Sequence, residues 1–409
     1  MKWKKHLLTV LIAMSTLLVS GCGLNEWLSS LSFPTSSSSG SSVPITTTSL
    51  CSGLPSGSSG NTTSHVSIAT LSLAPSSIYQ SVEPSVFLMN ACYVQSSQEY
   101  YYTTSGFLHS SVDNGDGTTT YYLLSSASGI FHYYQVQGEV LSMKEQGVFE
   151  FVFRNGSRYL GEYVGSYDAF DVAVFALTTE DVLPLPTIGS SDDLLVGQAV
   201  YAIGTPAFDV SLINTYVGGV VSGLHRRQYV YFNDTAYALA DYSVFQFDAP
   251  INGGMEGGAV VNTNGEIVGM LSYKYVDDTS DVTFESIAMA VGMDDIARVI
   301  DQIIATGTYA RPTIGITIMD VALLSSQDRL ANGIYASLYE GVMVSTVASG
   351  TAASRAGMVA GEVVVAFNSQ EVTNIASLAS YLVRTIAGES ITLTTVNSLG
   401  ITKNYTVQL

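Results

Sequence analysis

Apolar and polar residues alternate through the middle of the chain, in short segments separated by turn residues. The clearest segments are SVFLMNACYVQ, EYYYTTSGFLHSS, TTTYYLLSS, GVFEFVFRNG and YLGEYVGSY. Alternation with a period of two is typical of half-buried β-strands, whose successive side chains point to opposite faces of a sheet. The pattern therefore predicts a mainly β body built from short strands.

One turn between these segments is acidic. The sequence VDNGDGTT, residues 112–119, contains the residue types of a calcium loop, but their spacing does not match the EF-hand pattern. Asn-Gly and Asp-Gly pairs between strands favour a tight turn instead. We expect a hairpin turn here, and we expect no metal or other cofactor in the protein.

A helical period replaces the alternation at residues 293–307, MDDIARVIDQIIATG. Acidic residues lie in its first turn, where they stabilise a helix, and a glycine ends it. Its apolar stripe consists of Ile296, Val299, Ile300 and Ile303. Such a stripe buries against a core. We expect a helix that links the β body to a C-terminal domain at residues 310–409.

The N-terminus has the form of an export signal. Lysines at positions 2, 4 and 5 precede an apolar run from Leu7 to Val19, which is short for a membrane span. The run ends in Val-Ser-Gly-Cys, which resembles a bacterial lipobox. We expect a signal peptide at residues 1–21 and lipidation of Cys22, which would anchor the protein to a membrane of a bacterial cell envelope, facing outside the cytoplasm. The alternative is a plain secretory signal.

Residues 22–74 are rich in Ser, Thr, Gly and Pro and are too poor in apolar residues to form a core, so we expect a flexible tether. Besides Cys22, the chain contains Cys51 in this tether and Cys92 in the first predicted strand. In an oxidising exported compartment these two cysteines could form a disulfide. Connectivity does not follow from sequence, so the pairing stays open.

The composition agrees with an exported acidic protein. The formal net charge is −19, and removal of residues 1–21 makes it −22 because that segment contains three lysines and no acidic residue. This negative charge argues against nucleic acid and anionic lipid as binding partners. With 47% hydrophobic residues, the chain can fill two or three domain cores.

The segment INGGMEGGAVVNTNGEIVG, residues 251–269, has the glycine frame of an acyl-transfer loop. In a loop of pattern G-x-S-G-G, glycines permit a sharp turn and backbone N–H groups point at the developing oxyanion. Gly254, Gly257 and Gly258 keep this frame, and Gly254 and Glu256 hold the oxyanion-hole positions. Glu256 also stands where the nucleophilic serine is expected, and a carboxylate cannot become an attacking alkoxide.

Three blocks of sequence share a resemblance to trypsin-fold proteases of the HtrA/Deg type. Residues 245–269 resemble the nucleophile region, YLLSSASGI at 122–130 resembles the strand and turn of the catalytic histidine, and GSYDAFDVAVFAL at 165–177 resembles the segment of the orienting aspartate. The resemblance implies a two-lobed trypsin-like double β-barrel followed by a C-terminal α+β PDZ domain. The six-stranded lobes would occupy about 78–189 and 190–291, in a protease-like domain at 75–307.

The resemblance also assigns the three positions of the catalytic triad. Ser128 holds the histidine position, Glu256 holds the serine position, and Asp171 keeps the aspartate. Because the base and the nucleophile are both missing, we expect no catalysis. The mature chain contains four histidines, none of them at the position of the base: His65, His109, His132 and His225.

Asp171 has two interpretations. We favour a structural one, in which the buried carboxylate accepts hydrogen bonds from backbone groups or from Ser128. The other interpretation is a carboxylate pair of Asp171 and Glu256 for acid/base work, although nothing in the spacing supports it specifically.

The C-terminal domain contains a candidate peptide site. The sequence TIGI, residues 313–316, resembles the PDZ carboxylate-binding loop, and residues 341–372 resemble the central PDZ strands and turns. The candidate peptide-binding residues are Ile314, Gly315, Ile316, Leu378 and Leu382. A peptide C-terminus would add a strand to the edge of the TIGI strand. The alternative is that these apolar residues only fill the domain core.

These features predict a lipid-anchored HtrA-like pseudoprotease with a scaffold or chaperone-like role in protein quality control. Its expected ligands are peptide C-termini or misfolded exported proteins. Family resemblance alone suggests an active serine endopeptidase, against which Ser128 and Glu256 count. A third hypothesis is a regulatory subunit of an active paralogue. Both homo-oligomers, such as a trimer, and mixed oligomers are compatible with the sequence.

Overall fold

The computed structural model of the chain describes residues 73–95, 98–127, 147–206, 210–231, 238–272 and 286–409. Several predicted features lie outside these ranges: the signal peptide at 1–21, Cys22, the tether up to residue 72, Cys51, His65, Ser128 and His132.

Six strands form the first barrel, and the first five follow the alternating segments. They are β1 (Val86–Gln95), β2 (Gln98–Asp113), β3 (Thr119–Ser126), β4 (Val148–Phe153), β5 (Arg158–Tyr167) and β6 (Val172–Thr179). The barrel closes in the order β1-β2-β3-β6-β5-β4, so that β1 pairs with both β2 and β4. Aromatic rings fill its interior, where Phe87 and Phe151 meet edge to face with centroids 5.0 Å apart.

The turn between β2 and β3 is the predicted hairpin, in which Asp113 pairs with Thr119. The Asp113 carboxylate accepts a hydrogen bond from the Gly115 N–H at 2.9 Å, and the Asp116 carboxylate accepts one from the Thr118 N–H at 2.9 Å. The acidic side chains therefore stabilise the turn itself.

The second barrel closes in the same way. Its strands are β8 (Ala199–Gly204), β9 (Thr215–Tyr231), β10 (Ala238–Phe247), β11 (Ala259–Asn262), β12 (Glu266–Leu271) and β13 (Ala288–Gly292). They follow the order β11-β8-β9-β10-β13-β12, and pairing of β11 with β12 completes the ring. A short strand, β7 (Thr187–Ile188), adds in parallel to β12. The two closed barrels confirm the predicted trypsin-like double barrel.

Two helices bury apolar stripes against this body. Helix α1 (Pro75–Val82) buries Ile78 and Val82. Helix α2 (Met293–Thr306) confirms the predicted linking helix, and its apolar stripe of Ile296, Val299, Ile300 and Ile303 is fully buried. Short 3₁₀ turns occupy Glu83–Ser85, Asp168–Phe170 and Val210–Leu212. Among the described residues, no helix combines the length and apolar character needed to cross a membrane.

The C-terminal domain has its own sheet and core. Its strands are β14 (Ile316–Asp320), β15 (Val342–Val347), β16 (Val363–Phe367), β17 (Gln370–Glu371), β18 (Ser390–Val396) and β19 (Thr402–Gln408). They follow the order β14-β15-β16-β18-β19, and β17 pairs with β16. The helical segments are α3 (Ser326–Ala331), α4 (Ala352–Arg355), α5 (Ile375–Val383) and the 3₁₀ turn Val321–Leu323. Strand β14 lies at an edge of the sheet.

Candidate functional site

The loop between β10 and β11 forms a sharp elbow at the junction of the two barrels. Gly254 and Gly257 have φ of +97° and +80°, a region that favours glycine. A Cβ atom on Gly257 would lie 2.3 Å from the Ser105 carbonyl oxygen and 2.6 Å from the Ser126 nitrogen. The glycine frame predicted from sequence is therefore needed both for the turn and for the close approach to the first barrel.

Two residues of β2, Thr104 and Ser105, connect the elbow to the first barrel by hydrogen bonds from their hydroxyl groups. Thr104 Oγ1 donates to the Glu256 carbonyl at 2.7 Å, and Ser105 Oγ donates to the Gly254 carbonyl at 2.8 Å. The Ser105 N–H also donates to the Glu256 carbonyl, at 3.0 Å. Sequence reasoning missed Thr104 and Ser105. The local sequence contains no signal that singles them out, because β2 contains several other Ser and Thr residues, and only burial shows which hydroxyls need partners.

Glu256 turns its carboxylate back into the elbow. The side chain is buried, and the Gly254 N–H donates to Glu256 Oε2 at 2.6 Å. Gly254 is one of the positions expected to supply an oxyanion-hole N–H, so this donor is already occupied by a negatively charged oxygen of the same chain. A short bond of this kind between a backbone N–H and a carboxylate is charge-assisted.

The Glu256 carboxyl also holds its proton more tightly than an ordinary glutamate. Burial raises its pKa to about 6, and the nearby negative charge of Asp171 acts in the same direction. Hydrogen bonds from the backbone N–H groups of Glu256 and Gly254 oppose this rise. At neutral pH, the side chain at the centre of the elbow is therefore mainly in the carboxylate form.

Asp171 lies in the first barrel, directly after the 3₁₀ turn Asp168–Phe170. The residue is buried and adopts a left-handed conformation, with φ of +54°. The Ser126 hydroxyl donates to its carboxylate, with both oxygens 2.9 Å away, and the Ala127 N–H donates to its carbonyl at 3.1 Å. Sequence reasoning named Ser128 as a partner and missed Ser126, which precedes it by one strand period.

The described histidines lie at other elements. His109 is next to the Ser110 hydroxyl on β2, and His225 contacts the ring of Tyr381 on α5, with centroids 6.2 Å apart. Within the described ranges, no group of three His, Cys, Asp or Glu side chains is arranged to hold a metal ion. The groups that the structure brings together at the elbow are therefore two carboxylates, backbone N–H groups and hydroxyls.

The predicted peptide site combines a turn that requires glycine with residues of the domain core. Gly315 has φ of +83°, and a Cβ atom there would lie 2.2 Å from the side chain of Thr351. Ile316, which begins edge strand β14, is half-buried. Ile314, Leu378 and Leu382 are buried together in the core of the C-terminal domain. The five candidate residues therefore belong to the same domain, and Gly315 and Ile316 are the most exposed of them.

Comparison with family models agrees with this architecture. A model described as a trypsin-like peptidase domain matches residues 104–270, and a model described as a PDZ domain matches residues 343–397.

Curated relatives match more than half of the chain. The "Serine protease Do-like HtrA" of Bacillus subtilis (strain 168) is 31% identical over 230 residues, covering 56% of this chain and 49% of the relative. The protein of the same name from Lactococcus lactis subsp. lactis (strain IL1403) is 30% identical over 234 residues, covering 56% of each chain. The chain spans about half the length of the curated relatives that it matches.

A solved structure, "HtrA-type protease AlgW with decapeptide", has a TM-score of 0.55 and 21% sequence identity. The match covers 82% of this chain and 98% of that chain. At this identity the likeness supports the fold of two barrels and a PDZ domain.

Proposed function

Since this chain belongs to the HtrA-type family of trypsin-like proteins with a C-terminal PDZ domain, we propose that it is a proteolytically inactive member that binds peptide termini. Its ligands would be exposed C-termini of peptides or of unfolded exported proteins. The protein would act as a membrane-anchored scaffold or chaperone-like factor in the cell envelope.

The observation that carries the proposal is the Glu256 carboxylate in the elbow. The Gly254 N–H donates to this carboxylate at 2.6 Å. In an active elbow, the same N–H group stabilises the oxyanion of the acylation step. Glu256 would therefore stand in the place of the nucleophile, and its carboxylate would occupy the N–H group that stabilises the oxyanion. With Ser128 at the position of the base, no proton shuttle is left.

Peptide binding is supported by the geometry of the C-terminal domain. Strand β14 is at the sheet edge, and the Ala348 N–H donates to the Gly315 carbonyl at 3.0 Å, which continues the pairing of β14 with β15 to Gly315. An exposed edge strand beside a helix is the arrangement that accepts an added peptide strand. One solved HtrA-type structure is described as being with a decapeptide, which favours peptide binding by this chain as well.

Catalysis is tested with the purified chain, an unfolded casein substrate and a fluorophosphonate probe. We expect neither cleavage nor labelling. The matched control is the double variant Ser128→His, Glu256→Ser, which restores the base and the nucleophile in the same frame. Labelling of the wild-type chain that disappears when one serine of the second barrel is replaced would instead establish the active endopeptidase.

Peptide binding is tested by calorimetry on the full chain. A peptide with an apolar C-terminal residue and a free carboxylate should bind at least about tenfold more tightly than its C-terminal amide, because a hydrogen bond to a charged group contributes roughly 1.5–3 kcal/mol. Equal affinity for the acid and the amide would contradict the proposal. Capture of an HtrA-type paralogue from native membranes, without peptide binding, would favour the regulatory subunit.

The anchor is tested separately, by replacing Cys22 with Ser. The variant should move from the membrane fraction to the soluble exported fraction, because the acidic body has no evident affinity for an anionic bilayer. If the variant still requires detergent for extraction, another segment anchors the protein.

A further inference from the structure

A cavity of about 300 Å³ lies between the second barrel and the PDZ domain. On the barrel side it is bounded by the loop before β8, by β9 and β10, and by the start of α2; on the PDZ side it is bounded by β17 and α5. Its apolar lining residues, referred to below as the floor, are Leu194, Leu224, Val244 and Phe245. A cavity of this volume at a domain junction, with an apolar floor and a few polar groups, is typical of small-molecule sites.

Hydrogen bonds between the protease-like domain and the PDZ domain connect the two sides of the cavity. At one end, the Arg384 guanidinium, which caps α5, donates to Asp192 at 2.8 Å and to Asp295 at 2.9 Å. At the other end, Asn374 Nδ2 donates to the His225 carbonyl at 3.2 Å. The cavity is therefore preformed, so a ligand would not have to order its walls.

Strand β9 is irregular where it lines the cavity. The pairing of β9 with β10 shifts between Val244 and Gln246, and His225 on the bulged side has φ of +49°. A β-bulge redirects side chains, and bulges are common next to binding sites. Leu224 and His225, the residues at this bulge, both line the cavity.

The charged groups of the lining indicate the kind of ligand. The lining contains three carboxyl groups and one guanidinium, that of Arg384, which is bonded to Asp192 and Asp295 and leaves Glu371 as the third carboxylate. The excess of negative charge favours a cation and repels an anion. Tyr381, on the PDZ side, also lines the cavity, and an aromatic ring attracts a cation over its face. The apolar floor requires that the cation also has an apolar part.

We propose that this cavity binds a small organic cation with an apolar body, of which an arylalkylammonium ion is the simplest example. The ammonium group would lie near the carboxylates and Tyr381, and the apolar body would lie on the floor. This site is separate from the edge of β14, where a peptide would bind, so its occupancy does not depend on the function proposed above.

The test is calorimetric titration of the full chain with phenethylammonium at up to about 10 mM, a range that detects weak ligands. Phenylacetate, of similar size and opposite charge, is the matched control. We expect binding of the cation and no binding of the anion. The absence of cation binding, or equal binding of both ions, would overturn the proposal.

Two variants locate the ligand. Leu224→Trp should fill the floor and abolish binding. Glu371→Gln, at an exposed position, should weaken binding about two- to fivefold, as expected for one partly exposed charge pair. Glu180→Gln, which removes an exposed carboxylate of the first barrel, should change nothing. If Leu224→Trp does not fold, the Glu371 and Glu180 variants still decide: an equal response of the two would place the cation elsewhere and contradict the proposal.

Discussion

Glu256 in the elbow and Asp295 at the junction with the PDZ domain are both buried carboxylates, with 8% and 5% of their surfaces exposed. Their charges are balanced differently. Asp295 is bonded to the Arg384 guanidinium and to the Ser380 hydroxyl. The Glu256 carboxylate accepts a hydrogen bond from the Gly254 N–H, and the like charge of Asp171 raises its pKa. Burial raises the pKa of both carboxyl groups, but their charged neighbours act in opposite directions: the Arg384 guanidinium lowers the pKa of Asp295, and the negative charge of Asp171 raises that of Glu256 further.

The largest effect should follow removal of the guanidinium. Arg384→Met leaves Asp295 as a buried charge without its cation, and we expect a loss of about 3–5 kcal/mol in the free energy of unfolding, measured by chemical denaturation. The matched control is Arg158→Met, because the Arg158–Glu150 pair is largely exposed and should contribute less than about 1 kcal/mol.

The double variant Arg384→Met, Asp295→Leu sharpens this test. It removes both charges and should recover much of the stability, because the penalty comes from the unpaired carboxylate. A loss that persists in the double variant would show that packing of the arginine side chain, rather than charge, holds the junction.

A smaller effect should follow a change in the backbone frame of the elbow. Gly257→Ala places a methyl group 2.3 Å from the Ser105 carbonyl at a φ of +80°. We expect a loss of about 2–4 kcal/mol in the free energy of unfolding, from backbone strain and overpacking together. Gly253→Ala is the control, since no atom lies within 4 Å of its added Cβ. Equal losses of unfolding free energy in the two variants would show that the close approach of Gly257 to the first barrel does not restrict this position to glycine.

A third prediction concerns pH. The pKa of Glu256 is raised from 4.5 to about 6 in the folded chain, so the folded state binds this proton more tightly than the unfolded state. The contribution to stability is complete below pH 4.5 and is lost as the pH rises through 6. It amounts to about 2 kcal/mol.

Glu256→Gln removes this titration, so the comparison with wild type isolates it from other carboxylates. The stability of the variant relative to wild type should increase by about 2 kcal/mol between about pH 4.5 and about pH 7.5, measured by denaturation at each pH. A relative stability that stays constant with pH would mean that Glu256 does not titrate in this range.

The smallest effect should come from Asp171→Asn. The negative charge of Asp171 raises the pKa of Glu256, so its removal should narrow the pH-dependent stability difference between the chain with Glu256 and the Glu256→Gln variant, without abolishing it. The measurement is the same pH series, made in the Asp171→Asn background with and without Glu256→Gln. An unchanged difference would show that burial alone raises the pKa.

Much of the fold was predictable from local patterns. The alternating segments became strands, the acidic VDNGDGTT segment became a hairpin turn, and the stripe of α2 is buried as its period required. The glycines of the elbow were also predictable, because a turn of positive φ restricts residue type at the position itself. Ser128, at the position of the missing base, lies outside the described residues and stays a sequence prediction.

Partners that are distant in the chain were not predictable from these patterns. Nothing near Glu256 in sequence indicates that Thr104 would donate to its carbonyl, and nothing near Asp171 singles out Ser126 over Ser128. The junction contact between Arg384 and Asp192 joins residues 192 positions apart. Such pairs depend on how two barrels and a third domain meet.

The sequence by itself determined the strand segments, the positions of the turns and the presence of Glu256 at the centre of a glycine frame, because each of these depends on the identity of neighbouring residues. Tertiary structure decided which N–H group the Glu256 carboxylate accepts, which cation neutralises Asp295, and where a cavity remains between the domains. The physical reason is that hydrogen bonds and charge pairs act over a few ångströms in space, and only the packed chain sets those distances.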